Sequence, residues 1–208
     1  MRNKKIVFGF MGKAQHGKDS SSEFLINYLH TAYDEYVEHL AFANLLKQQC
    51  KEIAFWDGEK DDEGRILLQN FSKPIKRYAD YLSKKYPENE FYADMKNGAY
   101  YAANTLRDIR ESDYDIFTIT DFRFKDEVDL FESKDYIKFI PIRVIRTNPD
   151  GGLFTGGLSA EALADVSENQ LNDYKEMFTI HNNGTLLDLE YKVKKLVDEE
   201  IIKILEGN

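Results

Sequence analysis

Nine residues near the N-terminus limit the folds open to this chain more than any other feature: Gly12-Lys13-Ala14-Gln15-His16-Gly17-Lys18-Asp19-Ser20. They fit G-x-x-x-x-G-K, the spacing of a loop that cradles phosphate. The spacing has a physical origin. A strand must stop and a helix must start around a ball of phosphate oxygens. Glycines let the backbone turn its N–H groups inward, the helix N-terminus adds positive potential, and Lys18 supplies a mobile point charge. The flanks agree. Residues 4–10 read as a buried strand, and 17–33 as a helix with Phe24, Leu25, Tyr28 and Leu29 on one face. The usual Mg²⁺-binding Ser or Thr after the lysine is replaced by Asp19, followed by Ser20. Three roles are open: Asp19 holding a metal-bound water, Ser20 substituting as ligand, or Asp19 simply capping the helix.

The rest of the chain alternates in the same way. Further strands are expected at 36–42, 115–121, 137–145 and 177–181. Helices are expected at 44–55, 64–85 (interrupted near Pro74), 89–110, 124–132 and 186–205. Buried strands alternating with helices predict an α/β fold: a parallel sheet of about five strands, covered by helices on both faces. With 42% apolar residues, including 14 Phe and 13 Tyr, the 208 residues suit one packed domain spanning 1–208. Two excursions are expected within it. Residues 57–110 form a helical insert, and 147–175, with Gly151, Gly152, Gly156 and Gly157, form a mobile lid.

Two further groups carry chemistry. Ile119-Thr120-Asp121-Phe122-Arg123 delivers an acid to the C-terminal end of an apolar strand, where open α/β sheets bind ligands. Arg123 can fork onto a phosphate, and Glu127, one helical turn on, can orient it. Arg143 and Arg146 end a buried strand and lead into the glycine-bearing excursion, a position suited to neutralising a migrating phosphoryl group. Composition narrows the partners. With 28 basic against 37 acidic residues the net charge is −9, which argues against a nucleic-acid-coating or anionic-membrane surface but not against one local anion pocket. A single cysteine, Cys50, forms no internal disulfide, and the four histidines have no metal-ligand spacing. No apolar run is long enough for a membrane span, so the expected location is the cytoplasm. The guanine-reading Asn-Lys-x-Asp of switch GTPases is missing.

In combination these segments resemble the deoxynucleoside monophosphate kinases encoded by bacteriophages, a phosphate-loop kinase family. That family also carries G-x-x-x-x-G-K-D-[ST], so Asp19 matches it. Phe42-Ala43-Asn44-Leu45-Leu46-Lys47 is similar to its Phe-Ala-(acid)-x-Leu-Lys, with Asn44 at the acid position. Arg65-Ile66-Leu67-Leu68-Gln69 resembles its Arg-x-x-Leu-Gln, and Asp121-Phe122-Arg123-Phe124 through Glu127 its Asp-x-Arg-Phe-x-x-Glu. Ser167-Glu168 resembles its His-x-Ser-Glu lid segment, with Asp165 where the family has His. Ile180–Leu186 resembles its closing Ile-x-Asn-x-Gly-Thr-Leu. Residues 75–110 match least.

The resemblance implies transfer of the ATP γ-phosphoryl to a (deoxy)nucleoside monophosphate, with Mg²⁺, supplying precursors for DNA synthesis in the cytoplasm of a phage host. ATP would be held by Gly12, Lys13, Ala14, Gln15, His16, Gly17, Lys18, Asp19 and Ser20, with Asn182 and Gly184 near the adenine. Asp19 or Ser20 would face the metal. The acceptor would be held by Lys47, Arg65, Gln69, Asp121, Arg123, Glu127, Ser167 and Glu168. Lys18, Asp121, Arg123 and Arg146 would serve the transfer. The alternatives are a dephospho-CoA kinase-like enzyme and a catalytically inactive nucleotide-binding regulator. Monomer and homodimer are both compatible with the sequence, and neither nucleic acid nor membrane is an expected partner.

Overall fold

The computed structural model of the chain describes residues 4–59, 61–157, 159 and 163–207. Positions 158 and 160–162 of the expected lid, and 60 of the expected insert, lie outside the described residues.

Among the described residues five strands form one sheet: β1 (Lys5–Met11), β2 (Val37–Leu40), β3 (Ile116–Ile119), β4 (Ile137–Ile145) and β5 (Phe178–His181). Their order is β2-β3-β1-β4-β5, and every pairing is parallel. The α/β fold class expected from the sequence is the one adopted. Alternation along β1 feeds two cores. Ile6, Phe8 and Phe10 pack with Leu25 and Leu29 of α1 (Lys18–Tyr33), and with Leu189 and Val193 of a late helix. Val7 and Met11 face the other way. They pack with Phe42 of α2 (Phe42–Ala54), with Leu106 and Ile109 of α5 (Tyr100–Glu111), and with Val128 and Phe131 of α6 (Lys125–Glu132). Helices therefore cover both faces.

The insert differs from expectation in two places. α3 (Asp62–Lys85) runs unbroken through Pro74. Both Pro74 and Asn70 are exposed, so the carbonyl that loses its helical donor can reach water. The expected helix over 89–110 is instead α4 (Glu90–Asp94), a 3₁₀ turn at Lys96–Gly98 with Asn97 at φ 57°, and α5. Near the C-terminus come α7 (Val166–Asn169), α8 (Leu186–Leu196), a π turn at Val197–Ile201, and α9 (Ile202–Glu206). Among the described residues no helix is long and apolar enough to cross a membrane.

Topology places the chemistry. The chain leaves β1 toward β2 on one side and later crosses to β4 on the other, so strand order reverses beside β1. In open parallel sheets that reversal, at the strands' carboxyl ends, is where ligands bind. The loop after β1, Asp121–Arg123 after β3 and Arg146 after β4 all lie at this edge.

Candidate functional site

The loop between β1 and α1 is held in shape from below. Gly12 has φ 136°, and a Cβ there would strike the Val144 carbonyl oxygen. Gly17, the residue capping α1, has φ 98°, and a Cβ there would strike the Asn182 side chain. Asn182 Nδ2 donates to the His16 carbonyl at 2.9 Å. His16 itself is 2% exposed. The Arg146 N–H donates to its Nδ1 at 3.2 Å, which leaves the ring proton on Nε2 to donate to the Phe154 carbonyl at 2.9 Å. His16 is thus a buried tie between the loop, the end of β4 and the segment beyond it.

Lys18 folds back over the loop. Its ammonium donates to the carbonyls of Gly12 (2.9 Å) and Lys13 (2.8 Å). Burial, with repulsion from Arg123, pulls its pKa down to about 8, although Glu168, Asp19 and Asp121 act in the other direction. A cation held in so little water gains much from an incoming anion.

Cavities flank the loop. One, of about 580 Å³, runs from Ala14, Lys18 and Asp19 across to Lys47, Lys76 and Arg123. Its apolar wall includes Phe42, Leu46 and Tyr101. A second, of about 400 Å³, opens on the far side between Gln15, Ser20, Arg146, Gly184 and Leu186, and Lys18 and Asp19 line it too. A third, of about 290 Å³, lies under Arg123 and is bordered by Lys13, Arg143, Ser167 and Glu168.

The strand-end carboxylate is spent on the backbone. Asp121 accepts from the N–H groups of Phe42 (3.0 Å) and Ala43 (2.9 Å), capping α2 while its edge faces the first cavity. Burial raises its pKa despite those bonds. Glu127 accepts from the N–H groups of Arg123 (2.9 Å) and Phe124 (3.0 Å), and burial pushes its carboxyl up to about 7. It positions Arg123 through the main chain. The Arg123 guanidinium pairs instead with Glu168, whose other oxygen accepts from the loop N–H of Ala14 at 2.9 Å.

The expected residues divide among the three cavities and the surface of α3. Of the loop, Ala14, Gln15, Lys18 and Asp19 meet Asp121, Arg123, Glu127 and Lys47 at the first cavity, Gly17 and Ser20 line the second, and Gly12, Lys13 and His16 border the third with Ser167 and Glu168. Arg146, Asn182 and Gly184 meet at the second. Arg65 and Gln69 lie on exposed α3 surface away from both. In their place Ser72 and Lys76 of α3 line the first cavity. The Lys76 ammonium stands over the rings of Phe124 (5.2 Å) and Tyr101 (5.8 Å). Its sequence signal was spacing: 65, 69, 72 and 76 form one helical stripe. Arg143 is a brace, bonded to Glu176 and to the carbonyls of Leu171 and Tyr174. Ser167 donates its N–H to Asp165 at the start of α7 and borders the third cavity.

Among the described residues no group of three or more His, Cys, Asp or Glu is arranged around a common point. Asp19 and Ser20 stand on the first turn of α1 beside the second cavity. One carboxylate and one hydroxyl suit Mg²⁺, which keeps several waters and takes further oxygens from bound phosphates. No protein-family model matches the chain, and no curated protein matches it.

Proposed function

We propose that the chain is a phosphotransferase that moves the γ-phosphoryl of ATP to a deoxynucleoside monophosphate. The observation that carries this reading is a single glycine-bearing loop standing between two cavities, with Lys18 and Asp19 bordering both. A hydrolase or switch protein needs one nucleotide cavity, whereas a transferase needs a donor side and an acceptor side that meet at the phosphates.

In this reading the donor nucleoside lies between Arg146, Gly184 and Leu186, with its phosphates on the loop. The acceptor lies in the larger cavity, its base against Phe42, Leu46 and Tyr101 and its phosphate toward Arg123, Lys47 and Lys76. An acceptor phosphate oxygen, already ionised at neutral pH, forms the new O–P bond as the bond to the departing ADP oxygen breaks. No proton must move, so positioning and charge neutralisation supply the rate. Lys18 leaves the Gly12 and Lys13 carbonyls for the β- and γ-phosphates. Asp19 and Ser20 would hold Mg²⁺, which when bound neutralises phosphate charge.

ADP formation from ATP, measured with each of the deoxynucleoside monophosphates and with dephospho-CoA, tests the reading. ADP should appear with one or more monophosphates. Turnover with dephospho-CoA alone, or none with any acceptor, overturns it. Arg123→Ala should lower kcat/KM for the monophosphate by roughly 10²–10³ and change ATP affinity far less. Arg123→Lys should rescue only part, because lysine lacks the fork. An unchanged kcat/KM would remove Arg123 from the site.

A further inference from the structure

We infer that Glu168 is a positioning residue that makes binding on the two sides of the loop cooperative. Its carboxylate joins the Ala14 amide to the Arg123 guanidinium, so an anion that takes the loop releases Arg123 to the larger cavity. The names of the two ligands rest on the phosphotransfer reading above; the coupling rests on the geometry.

Both carboxylate oxygens are engaged. Oε2 accepts from Ala14 N–H at 2.9 Å, and Oε1 pairs with Arg123 Nη1. The Glu168 side chain is only 8% exposed, and the Arg123 side chain is 37% exposed. The helix that carries Glu168 is tied to the loop a second time, by Lys13 Nζ donating to Asn169 Oδ1 at 3.2 Å and to the Glu168 carbonyl at 3.5 Å. A carboxylate on a main-chain N–H of the phosphate loop, also gripped by a guanidinium and close to Lys18, has the surroundings of a phosphate oxygen. It acts as a tethered anion.

Two anions cannot share those donors. A phosphate that takes the Ala14 N–H meets Glu168 at contact distance, and like charges at such range repel strongly in a partly buried site. The Glu168 carboxylate must therefore leave the Ala14 amide. Arg123 lies between the third cavity, where Glu168 holds it, and the large cavity. Once Glu168 has lost its loop anchor, the guanidinium is free to turn to an anion in the large cavity. The same cycle run backwards has the acceptor take Arg123, strip Glu168 of a partner and ease its departure from Ala14. Linkage requires the two effects to be equal. The closed pair of contacts thus holds both subsites back until one ligand opens them.

Calorimetric titration tests this. The dissociation constants of a non-hydrolysable ATP analogue and of a deoxynucleoside monophosphate are measured alone, and each again at saturation with the other. In the wild-type protein each should tighten the other roughly tenfold. In Glu168→Gln and Glu168→Ala each ligand alone should bind several-fold tighter than to wild type, and the mutual effect should shrink below about twofold. A residue that merely supports the fold would weaken both ligands when removed. Independent binding in the wild type, or single-ligand affinities that fall or stay unchanged in the variants, overturns the inference while leaving the phosphotransfer reading intact. If neither nucleotide binds, that reading fails and inorganic tripolyphosphate becomes the probe. It should bind Glu168→Gln several-fold tighter than wild type, and equal or absent binding to both overturns the coupling.

Discussion

Lys18 is held in the folded chain under conditions it does not meet when unfolded. It is nine-tenths buried, and its pKa falls from 10.5 to about 8, mainly through lost hydration. Below pH 8 both states carry the proton, and the folded state bears the full cost of that buried charge, about 3 kcal/mol. Between pH 8 and 10.5 the folded chain has shed the proton that the unfolded chain keeps, so stability from this group rises with pH. Lys18→Met removes the charge at similar length. Its unfolding free energy minus that of the wild type should be largest at pH 7 and fall by up to about 3 kcal/mol by pH 10.5. Denaturant titrations showing the same gap at both pH values would contradict a desolvated lysine. Asp121 behaves oppositely to a free catalytic acid, because both its oxygens cap α2. Asp121→Ala should cost roughly 1–3 kcal/mol by orphaning two amides, whereas Arg123→Ala, which loses a partly exposed pair, should cost roughly 0–1 kcal/mol. Equal melting curves for the two variants would return Asp121 to the ligand.

At the scale of elements, the sequence made the strands and the loop readable because each depends on neighbours in the chain. β4 lies at the expected 137–145, and α1 begins within one residue of its expected start. The stripe 65-69-72-76 on α3 was also readable as a face. Its position along the axis was not: Ser72 and Lys76 reach the cavity, while Gln69 lies about 10 Å short of Lys76, a displacement set by how α3 packs on α2 and α5. The contact of Glu168 with Ala14 spans 154 residues and has no local signature. The segment after β4 shows the same limit. Its glycines suggested a mobile excursion, and they gave no sign of the contacts that its first part makes. Thr147 pairs with Leu153, the Arg146 guanidinium lies 4.1 Å from the Phe154 ring centre, and His16 donates to the Phe154 carbonyl. His16→Ala removes that bond and leaves the Arg146 N–H without its partner, a loss of about 1–3 kcal/mol. Hydrogen exchange across 147–157 should then speed up roughly ten- to hundredfold, while the α1 and α8 amides stay protected. Unchanged exchange in that peptide would show that His16 does not hold it.

Across the whole molecule, the sheet is a shared wall. β1 is its central strand, and its alternate residues belong to the two different cores, so neither helical layer can separate without exposing the strand that supports the other. Gly9 sits at the point of tightest contact. A Cβ there would meet the Phe139 ring and come within 2.9 Å of Phe122. Both rings pack against Phe131 of α6, and Phe122 also meets Phe42 of α2 edge-on at 4.8 Å. One added methyl must therefore shift an aromatic cluster that links the strands to α2 and α6. Overpacking of this kind typically costs about 1–3 kcal/mol. For a chain of this size each kcal/mol lowers the melting temperature by about 2–4 °C, so Gly9→Ala should melt roughly 2–12 °C below wild type. The form of the curve matters as much as its midpoint. If both cores hang on β1, near-ultraviolet dichroism, which follows the aromatic cluster around α2 and α6, and far-ultraviolet dichroism, which follows all helices, should still lose signal together. Two transitions, with the aromatic signal lost first, would mean that the layer of α2, α5 and α6 unfolds by itself, contrary to a single cooperative domain.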